Sequence, residues 1–256
     1  MRRSIPAAAG LIGAILAGGT AAQGGAPPCK PENFKIALDV GHTPEAAGAT
    51  SARGVTEYAY NLELARTIAH TLGDGGFPRV SLITQHGIGR RQLLARTEHA
   101  NAVGADLLLS IHHDDVQDFY HARWTYQGAV HLFSDRFSGY SLFVSRDNRH
   151  FDDSLAFAKL LGTALTAHGM HYSPHHAEPI PGEGRDLIDR DAGVYLYDEL
   201  VVLKFTKAPA VLFEAGIIVN RAEELAVTSP EGRSRIGASA LDAVNRYCGG
   251  NGRQQD

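Results

Sequence analysis

Apolar positions along the chain switch between two spacings. "FKIALDV" (34–40) is a short β-branched and apolar run of strand type. After it the spacing becomes helical: from Glu57, apolar residues recur at Leu62, Ala65, Ile68, Ala69 and Leu72, with Thr56 placed to cap the helix. "GDGG" (73–76) ends that helix and "RVSLIT" (79–84) predicts the next strand. "RRQLLARTEHANAVG" (90–104) predicts a second helix stopped by Gly104, and "DLLLSIHH" (106–113) a third strand. Strands alternating with helices of this length predict an α/β fold.

Downstream the pattern changes. "GAVHLFS" (128–134) and "GYSLFVS" (139–145) predict a hairpin turning through "DRFSG", and "SLAFAKLLGTALTAHG" (154–169) a helix. "YSPHHAEPIPGEG" (172–184) holds too much Pro and Gly for regular structure. "LVVLKFT" (200–206) and "PAVLFEAG" (209–216) predict two further strands, and Asp242 to Tyr247 falls in a terminal helix. With no internal repeat and no linker, the expectation is a single α/β domain: a mostly parallel twisted sheet with helices on both faces.

The chain has 256 residues, 44% hydrophobic and 20% charged, which is enough for one sizeable core. A net charge of -4 and a pI near 6.3 exclude a dedicated nucleic-acid binder, since no basic stripe is present to neutralise phosphates. The first residues stand apart. Arg2 and Arg3, the apolar run "PAAAGLIGAILAG" and the small residues of "GGTAAQ" have the anatomy of a signal peptide over 1–22. A tail (23–33), a main folded domain (34–248) and a frayed end (249–256) complete the expected organisation. No later apolar stretch is long enough to span a bilayer. Cys29 and Cys248 are the only cysteines. In an exported protein they form a disulfide or stand as two free thiols, and the sequence leaves both open.

Candidate chemistry gathers at strand ends. His42, His112 and Glu214 each end an apolar run, and Glu57 opens the helix after the first. In parallel α/β sheets ligands bind beyond the carboxyl ends of the strands, so such a residue is delivered to a cleft on a rigid stem. Two imidazoles and one carboxylate with an open fourth position make a catalytic zinc site, and a further carboxylate can handle the proton. Singly these are weak signals: there are 13 histidines, and a lone strand-end histidine is commonly structural.

The combination is more specific. "LDVGHTPEAAGA" with "GVTEYAYNLELA", then "ARTEHANAVGADLLLSIHHD", then "PAVLFEAGIIVNRAEE" resembles the zinc-dependent N-acetylmuramoyl-L-alanine amidases, exported enzymes that cleave peptidoglycan, over residues 34 to 247. The resemblance implies zinc held by His42, Glu57 and His112, with Glu214 as the catalytic acid–base. Arg96 and the pair Ala100-Asn101 take supporting places. It implies a peptidoglycan substrate and a periplasmic location. The chain departs from the family pattern at Thr43-Pro44 and at His113-Asp114-Asp115. His113 competes with His112, but period-two alternation lets only one of the two face the metal, and the motif favours His112.

Other readings follow from the same residues. Tyr120, Trp124 and Tyr126 either stack on sugar rings or pack a loop among themselves. "HHAEP" (175–179) either holds a second metal or is a Pro-flanked surface loop. A zinc peptidase acting within the stem peptide, or a non-catalytic peptidoglycan-binding or activator module, are the rival functions, and an intact Glu214 argues against the second. Some relatives plug the cleft with a helix until an activator removes it. Residues 135–151 hold no long helical run, so activity without an activator is expected, with Glu178 or Glu183 the alternative plug.

Overall fold

The computed structural model describes Met1 and residues 29–249. Residues 2–22 of the expected signal peptide, residues 23–28 of the expected tail and residues 250–256 lie outside that range. In chain order the elements are β1 (Ile36–Val40), α1 (Glu57–Asp74), β2 (Val80–Ile83), α2 (Arg90–Ala102), β3 (Leu107–Asp114), β4 (Ala122–Tyr126), β5 (Ala129–Phe133), β6 (Ser141–Val144), α3 (Phe151–Ala167), β7 (Leu187–Asp189), β8 (Val194–Leu196), α4 (Val201–Phe205), β9 (Ala210–Ile217), α5 (Arg221–Thr228) and α6 (Pro230–Cys248).

Seven strands form one sheet in the order β2-β1-β3-β9-β6-β8-β7. From β2 to β9 all pairs are parallel; β6 runs antiparallel to β9, and β7 antiparallel to β8. Strand alternation sorts the core into two layers. Ile36, Leu38 and Val40 of β1 and Leu107, Leu109 and Ile111 of β3 face Leu64, Ile68 and Leu72 of α1, with α3 and α6 on the same side. Ala37 and Leu108 face the other way, against Ala100 of α2 and Leu203 of α4. Burying each of these Leu and Ile side chains contributes about 2 kcal/mol. The expected single domain with helices on both faces is what the chain forms.

Several elements differ from expectation. Residues 200–206 contain the short helix α4 rather than a strand. A brief apolar run does not distinguish the two by periodicity, and here Val202 and Leu203 pack into the α2-side core. The hairpin is β4–β5, not 128–134 with 139–145. Gln127 (φ 51°) and Gly128 (φ 81°) supply the two positive-φ positions of a tight two-residue turn, while Ser141–Val144 is wholly buried and joins the main sheet. Strands β7 and β8 are three residues each and lack a periodic signal. Thr56 occupies the N-cap position of α1, but its hydroxyl makes no capping bond. Side-chain caps hold α5 and α6 instead: Asn220 Oδ1 accepts from Ala222 N and Glu223 N, each at 3.0 Å, and Ser229 Oγ accepts from Gly232 N at 3.0 Å.

Cys29 and Cys248 form a disulfide with a Cα–Cα distance of 4.9 Å, and Cys29 N donates to Cys248 O at 3.0 Å. Among the described residues, no helix is long and apolar enough to cross a membrane.

Candidate metal centre and active site

The carboxyl ends of β1, β3 and β9 lie side by side, and their polar residues meet there. His112 of β3 is the register partner of Glu214 of β9, and His42 follows β1 by two residues. Glu57, in the first turn of α1, bridges the two imidazoles: its Oε2 lies 2.9 Å from His42 Nε2 and its Oε1 3.0 Å from His112 Nδ1. The donor atoms of His42, Glu57 and His112 all lie within 4.8 Å of one another. Glu57 also accepts from Ala49 N (3.1 Å), Asn61 Nδ2 (3.1 Å) and His113 N (3.2 Å). Burial works against its charge, but the hydrogen bonds and charges of His112 and His42 win, holding the carboxyl well below the usual carboxylate range.

The sequence around these donors has clear physical reasons. A Cβ at Gly41 would stand 2.5 Å from the His112 ring. At Gly48, where φ is +74°, a Cβ would stand 2.2 Å from Glu57 Oε2 and 2.7 Å from the His42 ring. Both glycines are spaces that the ligand side chains need. His42 itself has φ 65°, an uncommon value for a residue with a side chain. The Arg96 guanidinium, fully buried on α2, donates to the carbonyls of Val40 and His42 and so fixes this turn. Asp39 Oδ1 accepts from Arg96 at 2.7 Å and Asp39 Oδ2 from Ser110 Oγ at 2.7 Å, while Gln92 Oε1 accepts from Arg96 Nε at 2.7 Å. The role of Arg96 as a support is legible in the helix motif. Its partner Asp39 is signalled only as a lone acid in an apolar strand.

His113 goes elsewhere. It continues the Leu107–Leu109–Ile111 face of β3, and its Nδ1 lies 2.7 Å from Asn61 Oδ1 of α1. Burial pushes its pKa down to about 4, so the ring is neutral near pH 7. Alternation thus separates the neighbours as expected. Glu214 has a different environment from Glu57: its Oε2 is shielded from solvent and has no hydrogen-bond partner. Burial raises its pKa well above the ordinary value, and the charges of Asp114 and Glu57 push the same way.

The three donors suit a zinc ion: one carboxylate and two imidazoles converge from rigid strand and helix ends, with the His42 side chain 32% exposed toward solvent. The aromatic segment packs on itself. Tyr120 lies against Phe119 and Phe137 at 4.3 and 5.4 Å between ring centroids, and Trp124 stacks on Tyr126 at 5.4 Å under Arg53. Trp124 Nε1 donates to Ala52 O at 2.8 Å.

A family model of N-acetylmuramoyl-L-alanine amidase matches residues 36–246. The chain belongs to this amidase family. It is a hydrolase of the amidase class, acting on the cell wall. Its fold is similar to the N-acetylmuramyl-L-alanine amidase of Mycobacterium smegmatis, with TM-score 0.64 and 16% identity over 88% of this chain and 99% of that one. The amidase of Mycobacterium abscessus gives TM-score 0.63 and 20% identity over 84% and 99%. The CwlD amidase from Clostridioides difficile, in complex with the GerS lipoprotein, gives 0.59 and 17% over 84% and 98%. No curated protein matches the sequence.

Proposed function

We propose that this amidase uses zinc to hydrolyse the amide between the lactyl group of N-acetylmuramic acid and L-alanine of the stem peptide. The observation that carries this reading is the bridging of His42 and His112 by the buried Glu57 carboxylate beside an unpartnered Glu214. His42, Glu57 and His112 would hold the ion. A zinc ion in such a set supplies Lewis-acid chemistry, making hydroxide available at neutral pH and polarising a carbonyl. Glu214 handles the proton. Its carboxylate takes one from the attacking water and returns it to the departing amide nitrogen as the C–N bond breaks.

Export to the periplasm fits the Cys29–Cys248 disulfide, which persists in an oxidising compartment. Activity without an activator fits the placement of Glu178 and Glu183, the alternative plugs. Glu178 accepts from Tyr120 Oη at 3.2 Å, and Glu183 pairs with His176 and Arg185, each at 2.8 Å. Of residues 135–151, Ser141–Val144 form the buried strand β6 and only Phe151, the first residue of α3, is helical. His42→Ala and His112→Ala should each lose bound zinc and turnover together, read by elemental analysis and product assay. Full zinc with normal turnover in both variants overturns the ligand assignment.

A further inference from the structure

A second convergence of metal-competent donors lies one step along β3, where the Pro- and Gly-rich segment 172–184 forms a single 3-10 turn, His175–Ala177, in place of the wholly irregular structure expected. Asp114 stands two residues beyond His112. Its Oδ2 lies 2.9 Å from His176 Nε2 and 3.3 Å from His175 Nε2. The donor atoms of Asp114, His175 and His176 all lie within 4.8 Å of one another. Both histidines are buried, at 1% and 7% exposure, so neither is a solvated surface residue.

Each group is oriented from behind. Asp114 Oδ1 accepts from Asp115 N at 2.9 Å, which turns Oδ2 toward the rings. His176 Nδ1 is 2.8 Å from Glu183 Oε2, and His175 Nδ1 is 2.8 Å from Ser173 Oγ. Glu183 is itself fixed, accepting from Gln117 Nε2 at 2.9 Å and Arg185 at 2.8 Å. A histidine whose far nitrogen is tied to an oxygen while its near nitrogen converges with others is how metal ligands are typically held.

The donor chemistry is informative. Glu183, as a carboxylate, only accepts, so His176 carries a hydrogen at Nδ1. Against its burial, the carboxylates of Asp114 and Glu183 raise the pKa of His176 to about 9, so without a metal Nε2 carries a proton toward Asp114, in the place a cation would take. His175 Nε2 reaches the same oxygen yet makes no hydrogen bond and is shielded from solvent. Such a buried, unpartnered nitrogen calls for a partner.

We propose that Asp114, His175 and His176 bind a second divalent cation, of the class that takes imidazole and carboxylate together, with zinc the leading member. The cation clamps the segment 173–186 onto the strand that carries His112, and so fixes one wall of the cleft. This proposal stands apart from the amidase reading, because it concerns donors outside the His42–Glu57–His112 set.

The test is a metal count on the full chain, saturated with zinc, freed of excess by gel filtration and measured by elemental analysis. The wild type should hold two zinc ions. His42→Ala with His112→Ala should hold one, His175→Ala with His176→Ala should hold one, and the fourfold variant none. A wild type that saturates at one zinc overturns the proposal, as does a His175/His176 variant that still holds two. A cobalt titration of the wild type, followed by visible absorption, needs no variant and is independent of any folding defect. An endpoint at two equivalents supports the second site. An endpoint at one overturns it and leaves a protonated His176 paired with Asp114 and Glu183 as the reading of the cluster.

Discussion

At the scale of single residues the account rests on two glutamates in different surroundings. Glu57 has both oxygens engaged, by the rings of His42 and His112 and by backbone and side-chain N–H groups. Glu214, across the register from His112, keeps a buried Oε2 with no partner. Opposed environments push the two carboxyls in opposite directions, which is how two acids in one site take separate roles. Glu214→Gln should therefore retain its zinc and its fold while losing roughly two to four orders of magnitude in turnover. Elemental analysis beside a rate measurement checks this, and loss of the metal would make Glu214 a ligand. His42, Glu57, His112 and Glu214 each interrupt a local pattern and are weak signals singly; as a candidate site they were legible through the resemblance of their combined strings to the amidase family. Asp114, His175 and His176 were not legible as a group. Between Asp114 and His175 the chain runs through β4, β5, β6 and α3, and no local periodicity encodes a contact across them.

At the scale of elements, α2 acts as a clamp on the end of β1. Arg96 links Asp39 to the carbonyls of Val40 and His42, so the helix sets the direction in which His42 points. Arg96→Ala leaves Asp39 buried without its cation, and breaking such a pair costs about 3–5 kcal/mol. It also frees the positive-φ turn at His42. Urea unfolding should show the loss of stability, and zinc titration of the variant that stays folded should show weaker binding. Unchanged stability and affinity would mean the clamp is dispensable. The long elements were legible for a related reason: α1, α2, β1, β3 and β9 each carry a pattern matching one face or both faces of the sheet. The α4 segment departs from the strand expected because Val201, Val202 and Leu203 favour strand locally, while the α2-side core takes Val202 and Leu203 on a helical turn. The hairpin was displaced because the turn chemistry of Gln127-Gly128 outweighs that of the longer "DRFSG" stretch, and because β6 finds a place between β9 and β8.

At the scale of the whole molecule, the disulfide joins residues 219 apart and closes nearly all of the described chain into one loop. Constraining so large a loop in the unfolded state stabilises the fold by about 2–5 kcal/mol. Urea unfolding with and without reductant should differ by that amount, and coincident curves would show that the bond does not contribute. Family membership fixes the class of enzyme, and the bond proposed for it is read from its products. The most direct test is to incubate purified full chain with sacculi, with and without a chelator, and to identify the released products by mass spectrometry. The account predicts intact stem peptides bearing a free N-terminal L-alanine, released only when zinc is available. Cleavage within the stem peptide, or release indifferent to the chelator, would contradict it.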